Sequence, residues 1–231
     1  MISTWQPTSA DGRVHEELLL SFDKARAHRV LLVPALFDEA NKLRRLTVEV
    51  MRRLDADGID VFLPDLPGTN ESLAPLETQT LAQWQAAVRD AAKQLNATHI
   101  VSFRAGSLVL SDDIPGWAYA AETGASILKT MLRAQILAAR EAGGHETRER
   151  LLEVGRREGL RLAGWPICAQ MIRELEAADE QGLAPIHTLV TQSEIGGAGL
   201  WLRAEPGFDR AQADALSERI IQDLNDAHKK P

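Results

Sequence analysis

The chain has 231 residues, 45% hydrophobic and 26% charged, the balance of a globular protein rather than a disordered or fibrous one. Its 33 acidic and 26 basic residues leave a net charge of -7, a field that disfavours nucleic acid and anionic membrane surfaces as general partners. The single cysteine, Cys168, excludes an internal disulfide framework and a multi-cysteine zinc site, and nothing in the sequence calls for a metal or a cofactor.

Apolar runs stay well short of the ~18 residues of a membrane span. The opening MISTWQPTSADGR lacks a basic segment followed by an apolar one, so the expected location is the cytoplasm. The length suits one α/β domain with an insertion.

In chain order, residues 17–22 (ELLLSF) and 29–34 (RVLLVP) read as strands. Residues 39–57 follow with helical spacing at Leu43, Leu46, Val50, Met51 and Leu54, and Gly58 as the stop. A strand at 59–63 precedes a second amphipathic helix at 80–95, which carries Leu81, Trp84, Val88, Ala91, Ala92 and Leu95 on one face. Strands are expected at 98–103 and 117–121. This alternation predicts a mostly parallel sheet of about seven or eight strands with helices on both faces.

Between 126 and 181 the pattern becomes helical, with stretches at 126–142, 146–158 and 169–180 and no strand between them. This predicts a helical cap inserted into one domain whose core is 1–125 and 182–231. Glycine-containing joints at 122–124 and 182–185 are expected to let it move. The sheet pattern resumes at 186–192 and 199–203, and 209–226 closes the chain as a helix with Asp209 at its N-cap.

Ser102-Phe103-Arg104-Ala105-Gly106, between a strand and a helix, has the layout of a nucleophile elbow, usually G-x-S-x-G. Ser102 and Gly106 are the small neighbours that let strand and helix approach. The middle residue is Arg104, and a guanidinium that stays protonated cannot attack a carbonyl. The loop after the last expected strand, 204–208, contains no histidine. Glu194 is available where the acid would stand. His99 and His187 begin their strands, away from the carboxyl ends where open α/β sheets bind ligands.

Arg104 beside a helix start suits an anion such as a carboxylate, a phosphate or an acidic sugar. Equally, Glu39 or Asp38 could pair with it internally. Asp38, Glu39, Asn41, Lys42, Arg44 and Arg45 follow a strand directly and read either as a polar network lining a pocket or as a solvated first helical turn. Asp65, directly after its strand, reads as a turn-former beside Pro67-Gly68, with a catalytic acid as the alternative. Ser102, Ser107, Ser111 and Cys168 read as structural, as do Trp84, Trp117, Trp165 and Trp201.

The chain resembles α/β hydrolases, and more narrowly the exosortase A system-associated hydrolases, type 2. The stretch from Val33-Pro34-Ala35-Leu36-Phe37-Asp38-Glu39-Ala40-Asn41 to Lys42-Leu43-Arg44-Arg45 is similar to that family's PPFAEEMNKSRR. Asp65-Leu66-Pro67-Gly68 through Ser72 is similar to its D-L-x-G-x-G-x-S, and Phe103-Arg104-Ala105-Gly106 to its L-R-A-G. Thr123-Gly124 with Leu128 and Leu132-Arg133 resembles its S-G-x-x-x-L-x-x-x-L-R, and Ala163-Gly164-Trp165-Pro166 its A-G-Y-x-L. Asn70 stands where many relatives carry a second glycine, and Pro34-Ala35 replaces a double proline.

The resemblance implies an α/β-hydrolase-like fold in an exopolysaccharide setting, without establishing a reaction. Two functions follow: a protein without a working Ser-His-Asp triad that binds an anionic ligand or partner through Arg104, Glu39, Asn41, Arg45 and Gly106, or an ester or acyl hydrolase with an atypical nucleophile. A small anionic or envelope-polysaccharide-related molecule is the expected ligand. The sequence leaves the oligomeric state open.

Overall fold

In the computed structural model, which describes residues 1–8, 15–178 and 183–227, the strand-helix alternation folds into one seven-stranded sheet. Its first strands are β1 (Ile2–Trp5), β2 (Glu17–Phe22) and β3 (Arg29–Val33), and the helix α1 (Asp38–Ala56) leads to β4 (Asp60–Pro64). Helix α2 (Leu81–Gln94), β5 (His99–Phe103) and β6 (Gly116–Tyr119) come next. After the inserted segment come β9 (His187–Val190), the short α6 (Gln192–Ile195) and α7 (Arg210–Ala227). The order across the sheet is β1-β2-β4-β3-β5-β6-β9.

All neighbours from β4 to β9 run parallel, whereas β2 pairs antiparallel with both β1 and β4. The register sets Val33 beside Ser102, Phe103 beside Tyr119, and Tyr119 beside Val190. The loops leaving these strands therefore emerge together at one edge, where an open α/β sheet presents ligands.

Two apolar layers cover the sheet. On one face α1 buries Leu43, Leu46, Val50, Met51 and Leu54, and α7 contributes Ala213, Leu216, Ile220 and Leu224. On the other, α2 buries Leu81, Trp84, Ala87, Val88, Ala91 and Ala92, in a cluster continuous with the inserted segment. The Thr80 hydroxyl caps α2 by accepting from the Gln83 amide.

The inserted segment holds α3 (Gly124–Glu141), α4 (Arg148–Glu158) and α5 (Ala169–Ala177), and two strands the sequence reading lacked. β7 (Leu160–Leu162) and β8 (Trp165–Ile167) form an antiparallel hairpin between α4 and α5. Its turn residues Ala163 and Gly164 have φ of 49° and 90°, the left-handed pair of a type I′ turn, which favours glycine and asparagine. Gly124 serves close packing: a Cβ there would stand 2.3 Å from the Leu175 carbonyl oxygen. The end of the helix expected over 169–180, and Gly182 of the second joint, lie outside the described residues.

Two further expectations are corrected. Residues 199–203 form no strand; Leu200–Leu202 is a 3₁₀ turn and the sheet ends at β9. Trp201 folds back so closely that its nearest ring carbon lies 2.7 Å from where a Gly199 Cβ would be, and that curl breaks extension. The helix after the elbow is also only a 3₁₀ segment, Arg104–Val109, so Ser111 lies beyond it.

Candidate functional site at the carboxyl end of the sheet

Four loops converge at this edge: 34–37 after β3, 65–75 after β4, the elbow after β5, and 120–123 after β6. Phe37, Asn70, Arg104 and Ala120 all have positive φ, at 55°, 46°, 50° and 47°. Left-handed backbone at non-glycine residues is costly and concentrates where a structure must aim particular side chains. Gly106 is needed for the approach of elbow and β3 loop, since a Cβ there would lie 2.4 Å from the Pro34 carbonyl oxygen.

Arg104 thus occupies the left-handed backbone position of a nucleophile elbow, with its side chain buried among internal acceptors. Nε donates to Glu39 Oε2 at 2.9 Å and Nη2 to Glu39 Oε1 at 3.2 Å, a bidentate pair. Nη2 also donates to Glu122 Oε2, and Nη1 donates to the Ala120 carbonyl at 2.9 Å. The guanidinium lies 4.1 Å from the centre of the Trp201 ring, a cation-π contact that covers its free face. Two carboxylates therefore face one cation.

The remaining residues of the 38–45 stretch diverge in direction. Asp38 pairs with Lys42 at 2.8 Å, and Lys42 also donates to the Trp201 carbonyl at 3.4 Å. Arg45 turns away and stacks on Phe208 at 4.6 Å. Arg44 and Asn41 line a cleft with residues of the β4 loop, and Arg44 reaches Asp65. Of the five residues expected to hold a ligand, Arg104 and Glu39 meet directly, Gly106 makes room for the elbow, Asn41 lines a cleft, and Arg45 packs on the last loop.

That cleft has a volume of about 200 Å³ between the start of α1 and the β4 loop, and Asn41, Arg44, Thr47, Asp65, Asn70 and Glu71 supply its polar lining. Asp65 is 1% exposed. Its Oδ1 accepts from Asn70 Nδ2 at 2.7 Å and from Arg44 Nη1 at 3.4 Å. Its Oδ2 has no hydrogen-bond partner among the described residues. A smaller, mainly apolar hollow adjoins it, lined by Leu36, Phe37, Leu66, Leu76 and Trp165, and the two share Pro34, Ala40, Asn41 and Asn70.

The loop bearing Asp65 is tightly held. Ser72 Oγ accepts from the Gly68 amide at 2.8 Å and donates to Glu17 Oε1 at 2.9 Å, while Trp84 Nε1 donates to the Pro67 carbonyl at 2.8 Å. Burial pushes the Glu17 carboxyl above its ordinary range, against the lowering effect of the Ser72 bond.

Glu122 enters the sequence reading only as the edge of a joint. Its signal is position, just beyond β6 at the edge that also bears the elbow. Tyr119 was not singled out either; its hydroxyl bonds to Gln192 Oε1, and burial pushes its pKa up to about 12. His187 Nε2 lies 3.1 Å from the carbonyls of Ser111 and Ile114, and His99 stacks on Trp117 at 5.6 Å, both at the amino ends of their strands. Cys168 Sγ caps α5 by accepting from the Met171 amide.

No family model matches the chain, and no curated protein does. Solved structures do. Alpha/beta hydrolase domain-containing protein 10 from mouse is similar over 98% of this chain and 100% of its own, at 13% identity and a TM-score of 0.59. A putative hydrolase from Agrobacterium vitis S4 is similar over 96% and 98%, at 11% identity and a TM-score of 0.52. DcsB, solved in complex with its substrate analogue, is similar over 97% and 100%, at 10% identity and a TM-score of 0.56. The chain has the α/β-hydrolase fold. Among the described residues no helix is long and apolar enough to cross a membrane.

Proposed function

We propose that this protein is a non-hydrolytic member of the α/β-hydrolase fold, lacking a working Ser-His-Asp triad, that binds a small ligand at the carboxyl end of its sheet. The observation that carries this reading is Arg104 at the elbow, its donors taken by Glu39, Glu122 and the Ala120 carbonyl. A protonated guanidinium cannot be a nucleophile. With two carboxylates already at the guanidinium, a ligand anion would meet repulsion. The ligand is therefore assigned to the Asn41 cleft at the start of the same helix that carries Glu39.

The exosortase- and exopolysaccharide-associated type is the narrower form of the proposal. It draws support from where the resembling stretches fall: Pro34, Ala40, Asn41 and Arg44 come from the first, Asp65 and Asn70 from the second, and Trp165 of the hairpin from the last. Segments far apart in sequence thus line one pair of hollows. Residues 126–181 act in this reading as a cap on a single domain, its hairpin bringing Trp165 over the apolar hollow.

The test is reaction with a fluorophosphonate probe and turnover of activated esters such as p-nitrophenyl acetate. Neither labelling nor turnover above that of the heat-denatured protein is expected. Turnover abolished by Ser102→Ala or Ser107→Ala would instead establish an ester or acyl hydrolase with an atypical nucleophile.

A further inference from the structure

The cleft beside α1 carries a mixture of groups that narrows what it can hold. At its floor is a buried carboxylate, Asp65, with one oxygen committed to Asn70 and Arg44 and the other, Oδ2, unpartnered among the described residues. A buried acceptor left without a donor is costly, and an arriving donor removes that cost. Arg44, with 39% of its side chain exposed, keeps donors free of its 3.4 Å contact to Asp65. Asn41, at the rim, has no side-chain hydrogen bond among the described residues and offers both a donor and an acceptor.

Charge excludes several occupants. An anion would face two lining carboxylates, Asp65 and Glu71, against the one lining cation, Arg44, which already contacts Asp65. An ammonium group would have Arg44 within reach of the same carboxylate. A hydroxyl both donates and accepts and carries no charge, so a molecule bearing several hydroxyls can satisfy Asp65 Oδ2, Arg44 and Asn41 together. The cavity, about 200 Å³, is below the roughly 300–1,000 Å³ of pockets for drug-sized ligands. The adjoining hollow offers the Trp165 ring to an apolar face.

The site is also pre-shaped. Asn70 has a left-handed φ of 46°, and its amide donates to Asp65. The Ser72 and Trp84 bonds fix the rest of the loop, so little ordering accompanies binding.

We propose that this cleft binds a neutral polyhydroxylated molecule the size of a monosaccharide, one hydroxyl donating to Asp65 Oδ2 and others meeting Arg44 and Asn41. The proposal rests on reading the site as a binding site and adds the class of ligand.

Saturation-transfer NMR with glucose, N-acetylglucosamine and myo-inositol tests it, with glucuronate and glucosamine as charged counterparts. The neutral compounds should give transfer at affinities on the order of millimolar, ahead of both charged ones. Asp65→Asn and Asn41→Ala should each weaken binding about tenfold. Asn41 is at the surface, so its variant carries the test should Asp65→Asn fail to fold. The idea is overturned by no transfer from any neutral compound, by preference for glucuronate or glucosamine, or by undiminished binding in Asn41→Ala. Ester turnover with sugar binding intact would remove only the non-hydrolytic reading, whereas absence of both would remove only the ligand class.

Discussion

Arg104 lies where a serine hydroxyl would be expected, and its charge reorganises the neighbouring side chains. Glu39, Glu122, the Ala120 carbonyl and the Trp201 ring all turn to it, and Tyr119 packs on the same Trp201 at 6.3 Å. Tyr119 is the only tyrosine in the chain, so tyrosinate absorbance reports it alone. Burial raises its pKa from 10.0 to about 12, outweighing the opposite pull of Arg104. A raised acid favours the folded state below its unfolded pKa, and that contribution is lost as pH climbs towards the folded value. Alkaline titration should show the urea-unfolded chain ionising near pH 10 and the native protein resisting ionisation well beyond it. Coincident curves would mean the ring is not buried as described. The Arg104–Glu39 pairing was one of two alternatives the sequence left open, because both residues follow parallel strands whose carboxyl ends must meet. Glu122 and Asp65 were harder to see. Their roles depend on which side chain each loop turns inward, and short polar loops carry no periodicity to reveal that.

Elements with strong periodicity were legible. The buried faces of α1 and α2 could be read almost residue for residue, since a stripe facing a sheet repeats every three to four residues. The elements misread or left unread were short ones set by tertiary contact: the three-residue strands β7 and β8, the exposed edge strand β1, which carries no reading in the sequence, and the 199–203 segment that alternates like a strand but curls around Trp201. The elbow shows how one glycine couples two elements. Its Cβ position is 2.4 Å from the Pro34 carbonyl and 3.0 Å from the Val33 carbonyl, both backbone atoms with little freedom to yield. Gly106→Ala should therefore cost about 1–3 kcal/mol of stability as the elbow and the β3 loop separate. Urea unfolding measures it, and a change under about 0.5 kcal/mol, ordinary for an unconstrained surface site, would show that the contact is slack.

At the scale of the molecule, the sheet order was accessible only in outline, because alternation predicts parallel pairing without saying which strands are neighbours. The finished order gathers an ion-pair network at the amino end of the sheet. At the amino end, Asp23, Arg29, Asp60, Arg26, Asp55 and Lys24 tie the β2–β3 turn to the end of α1. Hydrogen bonds from Arg29 hold the Asp23 carboxyl well below the ordinary range, and Lys24 lowers Asp55. Such groups favour the fold above their unfolded pKa, 3.8 for aspartate, and that contribution fades as pH falls through the folded values.

Near the carboxyl end Glu17 works in the other sense. Burial raises its pKa above 4.5, so the folded state is penalised once pH exceeds that value and the penalty grows until the folded pKa is passed; below 4.5 it vanishes. Glu17→Gln keeps an oxygen for the Ser72 hydroxyl and removes the buried charge. The variant should gain more thermal stability over wild type at pH 7 than at pH 4, while both lose stability together at lower pH as the amino-end carboxylates are protonated. Melting curves at the two pH values decide it. A larger gain at pH 4 would mean that the Glu17 carboxylate is held by a cation rather than disfavoured by burial.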